Sequence, residues 1–546
     1  EVGAGAAISG LRTMVTMKHV GMNVAADPMM TLAYTGVKGG MVIVNADDPS
    51  LFSSQNEQDN RYYARLSSLP LLEPTNTQEM KDWTVAAFDM SEKLGLPGIL
   101  RTTTRLAHIR GPVKLGELKQ RKTKDVFQKN PFHYVTVPAV SRKLHGELLE
   151  KYDRALQESE TSPFNEMIGN GKWGIVANGV SFNYVRDAVS DLGIADKVRI
   201  LKLGFSWPMP EALCLKFMES VEKVLVVEEL EPIMEHDLKA MAQEKGMTLP
   251  IQGKGVGRLS RLYEYDPRMV REAVASYFGV AYAGVQPVDT SDIPELPQRP
   301  PTLCPGCPHR ASYYAVKQVY GDDAIYPTDI GCYTLGLLPP LSIADLVICM
   351  GSSVSTSCGF SKATDQKVAA FIGDSTFFHS GITGLINGVH NNHKFTLVIL
   401  DNGTTAMTGH QPHPGVDTAP MNVERSRVSI ENVVRGCGVQ DVHLVKPLNV
   451  KKTIEAVKAS MAYDGISVII SEELCPLFAR GIGKARKAKP FDVNPEKCKN
   501  HRDCINLLAC PAMYLEGEQV AINKNLCIGC SVCAQVCPEH AIMPVK

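Results

Sequence analysis

The sequence predicts an α/β protein of doubly wound domains that ends in a small cysteine-rich unit. Three observations carry this. Short apolar runs ending in Gly, Asp or Asn alternate with helix-length segments, as parallel strands joined by crossover helices do. A stretch at 283–303 holding Pro287, Pro294, Pro297, Pro300 and Pro301 blocks helix and ladder alike, and so reads as an extended linker. Seven of the fifteen cysteines fall in the last 49 residues.

The 546 residues should form three or four domains at ~150 residues each. A net charge of -1 and an apolar fraction of 44% suit a soluble protein and give no reason to expect nucleic acid or an anionic membrane surface. No apolar run approaches the ~18 residues of a membrane span. Residues 1 to 16 lack the basic start and long apolar core of a secretory signal. The chain opens on Glu1 inside an Ala/Gly-rich helical pattern, so upstream sequence is expected. Clustered cysteines without a secretory signal favour metal or Fe–S ligation over disulfides and point to a reducing, anaerobic cytoplasm.

In chain order, MVIVNADD (41–48) and LPGILRTTT (96–104) read as buried parallel strands. TMKHVGMNVAADPMM (16–30) and DDPSLFSSQNEQDNRYYAR (47–65) read as polar loops, whose Lys18, His19, Asn23, Gln55, Asn56 and Arg61 face either a ligand or solvent. KWGIVANG (172–179), KVRILKLG (197–204) and EKVLVVEE (222–229) give the strands of a second, smaller doubly wound domain. Glu228, Glu229 and Glu231 read as its solvated rim. A third unit begins at CPGCPHR, contains TDIGCYTLG (328–336) and GSSVSTSCGFSKA (351–363), and closes on the strand ISVIISEELCPLF (466–478). A basic spacer, ARGIGKARKAKP (479–490), follows.

Within that unit, 371–415 organises the rest. A strand at 368–372 ends in Gly373-Asp374, and a second at 395–400 ends in Asp401-Asn402-Gly403. Parallel strands joined by a helix put both ends on one rim, where ligands of open α/β sheets bind. Asp374 and Asn402, 28 positions apart, should therefore sit side by side. A carboxylate and an amide oxygen are hard ligands suited to Mg²⁺ shared with a diphosphate. The pattern resembles the Mg–diphosphate motif of thiamine diphosphate enzymes, with Ser375 where the motif's second Gly usually stands. Taken alone, the stretch also fits a plain βαβ unit ending in turn residues.

In the tail, Cys527-x2-Cys530-x2-Cys533-x3-Cys537-Pro538 matches the bacterial ferredoxin run at every position. Zinc held by C-x2-C pairs is the weaker alternative. The upstream half, Cys498-x5-Cys504-x5-Cys510-Pro511, is irregular. In such pairs the last Cys of each run crosses to the other cluster, which assigns Cys510 to Cys527, Cys530 and Cys533. The other set is Cys498, Cys504 and Cys537 with His501 as a possible fourth ligand; its cluster is His-ligated, three-iron or absent.

Together CPGCPHR, DIGCYTLG, GDSTFFHSG, LDNGTTAMTGHQPHPG and the tail resemble the alpha subunits of indolepyruvate:ferredoxin oxidoreductases, in the 2-oxoacid:ferredoxin oxidoreductase superfamily. VTMKHVGMNVAADPMMTLAYTGVKGGMVIV and SSQNEQDNRYYAR extend the resemblance over nearly the whole chain. It implies a thiamine-diphosphate pyrimidine-binding domain at 1–165 (N-terminally truncated) and a transketolase-C-like domain at 166–282. A linker follows at 283–303, then a diphosphate- and Mg-binding domain at 304–488 and a ferredoxin-like 2[4Fe–4S]-type domain at 489–546. The implied activity is oxidative decarboxylation of aryl 2-oxoacids of the indolepyruvate and phenylpyruvate type, dependent on thiamine diphosphate and CoA. Electrons would leave through two or three [4Fe–4S] clusters to ferredoxin, and a beta subunit would complete an α2β2 heteromer.

The same resemblance implies a cluster on Cys304, Cys307, Cys332 and Cys475. It leaves Cys214, Cys349, Cys358 and Cys437 as small buried hydrophobes. It adds the Thr404 carbonyl to Asp374 and Asn402 as a Mg²⁺ ligand, with Gly403 letting the backbone approach and Gly373 letting the strand turn sharply. Ser375, His309, Thr405, Thr408 and Gln411 would surround the diphosphate and substrate. His19 and Lys18 would steady the substrate carboxylate or oxyanion. The family's catalytic glutamate, counted back from Gly5, falls before residue 1, and Glu1 is out of register with it. Two other readings compete. A non-redox thiamine-diphosphate decarboxylase has no use for the ferredoxin tail, and an electron-transfer scaffold has no use for Asp374 and Asn402.

Overall fold

Strands apolar on both faces need helices on both sides, and the chain supplies them by alternating the two elements. The computed structural model describes every residue except 118–122, 285–287, 298, 420–422 and 546, so Pro287 of the proline-dense stretch lies outside the described residues. The chain divides into two units, Glu1–Asp292 and Ile293–Lys546.

The first unit holds two five-stranded sheets. One runs in the order Thr13–Lys18, Met41–Asp47, Gly98–Thr103, Leu71–Leu72, Phe205–Trp207, parallel but for the last pair. The other runs Ile251–Gln252, Lys223–Val227, Trp173–Ala177, Val198–Leu203, Asn165–Ile168, again parallel but for its last pair. Phe205–Trp207 leaves the second sheet's neighbourhood to become an edge of the first, so the two sheets are stitched together. The helix Thr77–Leu94 starts where the Asn76 side chain accepts from the Glu79 N–H at 2.9 Å.

Residues 16–30 are not a loop. The strand Thr13–Lys18 passes directly into the helix His19–Thr35. Pro28 lies inside that helix, where proline costs about 3 kcal/mol. Met22, Met29, Leu32 and Ala33 are buried along the same helix, and burial of such side chains outweighs the local cost at ~1.5–3 kcal/mol for each large one. The second stretch keeps an irregular section only up to residue 60, because Arg61–Ser67 is helical.

The acidic strand end is not a solvated rim either. Glu228 and Glu229 are buried, while Glu231 is partly exposed and pairs with Arg261 at 2.7 Å. Glu228 accepts from the Met234 and Glu235 N–H groups, both at 3.0 Å, at the start of the helix Ile233–Glu244. It also pairs with buried Arg61 at 2.5 Å. Arg61 holds Asp59 at 2.6 Å and the carbonyls of Glu229 and Glu231 at 3.0 and 2.8 Å. Arg101 beside it holds Asp47 at 2.6 Å and Glu73 at 2.5 Å. Removing one partner of a buried pair strands the others, at about 3–5 kcal/mol. Arg61→Ala should therefore lower stability by about 3–5 kcal/mol in a denaturant titration; a loss under ~1 kcal/mol would show that water compensates the acids.

The second unit has a four-stranded parallel sheet ordered Ala369–Gly373, Phe395–Asp401, Ile466–Glu472, Asp441–Val445. Gly373 stands opposite Leu400, so Asp374 and Asn402 emerge on one rim. The tail forms two antiparallel pairs, Phe491–Val493 with Ile542–Pro544 and Met513–Glu516 with Gln519–Ile522. It packs on the rest of its unit through an apolar cluster of Ala311, Val450, Leu508, Val532 and Val536. Cys214 and Cys358 are buried as small hydrophobes and Cys437 is half-buried, but Cys349 is exposed. Among the described residues, no helix is long and apolar enough to cross a membrane.

Candidate cofactor and iron–sulfur sites

At the rim, Asp374 is 2% exposed and its carboxylate is held by backbone donors. Oδ2 accepts from the N–H groups of Asn402 and Gly403 at 3.0 and 2.8 Å, and Oδ1 accepts from Ser375 N–H at 2.7 Å. Asn402 Oδ1 accepts from the Thr404 N–H at 3.1 Å, and the buried Thr404 hydroxyl has no partner. A carboxylate, an amide oxygen and a neighbouring backbone carbonyl form the hard oxygen set that Mg²⁺ takes. Thr405 donates to the Ser375 hydroxyl at 2.9 Å. Thr408 and Gln411 bond to each other and are exposed.

Gly373 is required for a reason the sequence does not give. Its φ of -80° is ordinary, so it makes no special turn. A Cβ there would lie 2.5 Å from the ring of Tyr333, which lies across the strand end.

Three groups at this rim were not picked out from sequence. His413 is buried, with Nε2 3.1 Å from Asp374 Oδ2. Its Nδ1 accepts from Gly415 N–H at 3.1 Å, which leaves the proton on Nε2, facing the carboxylate. The Nε2 contact is close but poorly aligned for a hydrogen bond, so it acts chiefly through charge and dipole. Asp401 is buried, and its pKa is pushed up to about 6 by that burial and by Asp374 and Glu472. Arg310 is buried beside the cysteines. The "HQPHPG" and "CPHR" strings contain two of the three, but neither string says what its His or Arg touches.

His309 opens the helix His309–Tyr320, with Nε2 3.5 Å from Asn402 Nδ2. Burial pushes its pKa down to about 4 against the pull of Asp374, so the ring is neutral at physiological pH. Cys307 stands two residues before it. The Cys475 N–H donates to the Asn402 carbonyl at 3.0 Å. Two cysteine loops thus join the rim through Asn402 itself. Cys304, Cys332 and Cys475 lie near enough to influence one another's charge, as do Cys304, Cys307 and Cys332: ionising Cys475 or Cys304 raises the pKa of Cys332, and Cys304 and Cys332 raise that of Cys307. Burial is the larger cause, pushing Cys307 up to about 12 and Cys332 up to about 11, so any metal or cluster bound there would displace thiol protons.

The tail thiols ring two recesses. Cys510, Cys527, Cys530 and Cys533 line one, together with Pro305 and Gly306. Cys498, His501, Cys504 and Cys537 line the other. Among the described residues, no three His, Cys, Asp or Glu side chains stand close enough to share one ion. Thiols around a recess suit a cube whose irons each take one thiolate. His501 Nε2 lies 3.0 Å from Glu539 Oε1.

Lys18 and His19 lie in the other unit. Lys18 Nζ reaches Asp48 at 3.1 Å and Ser54 Oγ at 2.6 Å, so its charge already has a partner. His19 is fully buried, its Nε2 is 3.2 Å from the Asn56 carbonyl, and its Nδ1 has no partner.

Four known family signatures match. Residues 1–160 match the thiamine-diphosphate-binding domain of pyruvate flavodoxin/ferredoxin oxidoreductases, and 166–245 the indolepyruvate ferredoxin oxidoreductase middle domain. Residues 329–471 match the C-terminal TPP-binding domain of thiamine pyrophosphate enzymes, and 520–543 a 4Fe–4S binding domain. The chain therefore carries thiamine-diphosphate-binding and 4Fe–4S domains on an α/β framework. Indolepyruvate oxidoreductase subunit IorA of Methanothermobacter thermautotrophicus is 48% identical, the match covering 100% of this chain and 88% of that one. The subunit of the same name from Archaeoglobus fulgidus is 44% identical over the same shares. A solved 2-oxoglutarate:ferredoxin oxidoreductase from Magnetococcus marinus aligns over 33% of this chain and 66% of that one, at 21% identity and a TM-score of 0.30, too low to bear on the fold.

Proposed function

The chain belongs to the family of indolepyruvate oxidoreductase subunit IorA, and on that footing we propose that it catalyses CoA-dependent oxidative decarboxylation of aryl 2-oxoacids, passing electrons to ferredoxin. The observation that supports this is the pair of contacts at Asn402, where the rim read as a Mg–diphosphate site meets His309, two residues after Cys307, and the backbone of Cys475. A non-redox decarboxylase needs no such link. Thiamine diphosphate, when bound, supplies the carbanion chemistry that lets a 2-oxoacid lose CO₂.

The chain's own residues do the rest. Asp374, Asn402 and the Thr404 carbonyl would hold Mg²⁺, with His413 steadying Asp374 from behind. Ser375, Gly403 and Thr405 would line the diphosphate; Thr408 and Gln411 would close the loop at its edge. Neutral His309 would give or take a hydrogen bond there without adding a charge. Of the two N-terminal candidates, His19 donates Nε2–H to the Asn56 carbonyl, so its free Nδ1 would accept a hydrogen bond from a protonated substrate group, while Lys18 must first leave Asp48. The set Cys304, Cys307, Cys332 and Cys475 would hold the first cluster, Cys510 with Cys527, Cys530 and Cys533 the second, and Cys498, Cys504 and Cys537 with His501 the third. A beta subunit, an α2β2 assembly and a cytoplasmic location complete the proposal.

Its test is anaerobic reduction of ferredoxin or viologen by arylpyruvate. The reaction should need thiamine diphosphate, Mg²⁺ and CoA together. Sustained turnover with no electron acceptor would favour the non-redox decarboxylase.

For the third cluster, a carboxylate on a ligating histidine's second nitrogen is the usual supporting arrangement, and Glu539 supplies one. His501→Cys should keep the iron content and lower that cluster's potential, since histidine ligation raises it. Iron and EPR spectra identical to the parent's would remove His501 from the ligand set.

A further inference from the structure

Arg310 is 3% exposed and, among the described residues, pairs with no carboxylate. Its NH1 donates to the Leu508 carbonyl at 2.7 Å and also to that of Ala509; its NH2 donates to the Leu303 carbonyl. Leu303 directly precedes Cys304, and Ala509 directly precedes Cys510. One guanidinium therefore holds the entry to both cysteine sets, and its Nε–H remains without a partner.

The two sets also touch. Gly306, inside the Cys304–Cys307 loop, has φ +68°, and a Cβ there would lie 2.2 Å from Ile528 Cδ1 and 3.6 Å from Cys530 Cβ. With Pro305 it forms part of the wall around Cys510, Cys527, Cys530 and Cys533.

A buried cation held only by carbonyl dipoles costs several kcal/mol, unless anions lie nearby. Cubes ligated by four thiolates are such anions, and each becomes more negative when it takes an electron. Burial pushes the Arg310 pKa down, while Cys510, Cys307, Cys304 and Cys530, once ionised, push it back up.

We propose that Arg310 is a shared counter-charge that raises the reduction potentials of both neighbouring clusters, so that each would take an electron more readily. The proposal rests on reading these two cysteine sets as cluster sites. Because Arg310 touches no substrate, it is a positioning residue, and potentials rather than turnover must test it.

The experiment is an anaerobic EPR redox titration, with iron analysis, of the complete enzyme and its Arg310→Gln and Arg310→Lys variants. In Arg310→Gln the one-electron reduction constant of both cubes should fall at least about tenfold, or about 59 mV each. The third cluster should not move, and Arg310→Lys should stay within about threefold of the parent by keeping the charge. The proposal is overturned if neither cube shifts, if only one does, or if Gln and Lys shift alike. Loss of clusters in both variants would make Arg310 a structural anchor and overturn it too. A parent enzyme lacking these two clusters fails the underlying reading instead, and is recognised by its iron content before any variant is made.

Discussion

Asp374→Asn is expected to weaken Mg²⁺-dependent binding of thiamine diphosphate by about 10²–10³-fold and to lower turnover with it, with little change in melting temperature. The carboxylate accepts three backbone N–H bonds, from Ser375, Asn402 and Gly403. An amide can accept some of these, so the strand ends should keep their places. It cannot supply the charge, and a lost metal contact of several kcal/mol corresponds to that range at about 1.4 kcal/mol per decade. Isothermal titration with cofactor and Mg²⁺ reads the binding directly. Affinity within tenfold of the parent's would show that the rim does not hold the diphosphate.

Cys475→Ser carries the second large effect. The Cys475 N–H is bonded to the Asn402 carbonyl, and ionising its thiol would raise the pKa of Cys304 and Cys332. Removing the thiol should cost one cluster, about four irons per chain. Ferredoxin reduction should fall by a factor on the order of 10³, since at about 1.4 kcal/mol per decade losing the first electron acceptor is a barrier of several kcal/mol. Slow release of CO₂ and aldehyde should persist, because the diphosphate rim is untouched. Cys358→Ser, in a buried position away from these sets, should keep its iron. Full iron and full ferredoxin reduction in Cys475→Ser would detach the electron path from this site.

The central rim was legible because its signal is local. Two apolar runs each end in an oxygen-bearing side chain, and strand pairing converts their spacing into proximity. The ferredoxin run is legible for the same reason, its ligands lying within a few residues of one another. What the sequence hid depends on distant partners. Glu228 looked like solvated acid because the cation that buries it, Arg61, lies 167 positions away. His19–Thr35 looked like a loop because Gly21, Asn23, Asp27 and Pro28 all speak against a helix, while its support comes from core packing. Gly373 looked like a turn residue, but the ring that excludes a side chain there belongs to Tyr333. Arg310 followed a cysteine pair without comment, since its hydrogen bonds go to carbonyls of Leu303, Leu508 and Ala509. Carbonyl partners leave no trace in residue type.

On the proposed function, the cysteines joined to the Asn402 rim take the electrons released by decarboxylation. The most direct measurement of this is a single turnover under anaerobic conditions, with enzyme in excess over arylpyruvate, CoA present and no external acceptor, frozen and examined by EPR. Reduced [4Fe–4S] signals should grow with acyl-CoA, two electrons for each acyl group formed. Substrate converted to aldehyde and CO₂ while every cluster stays oxidised would contradict it.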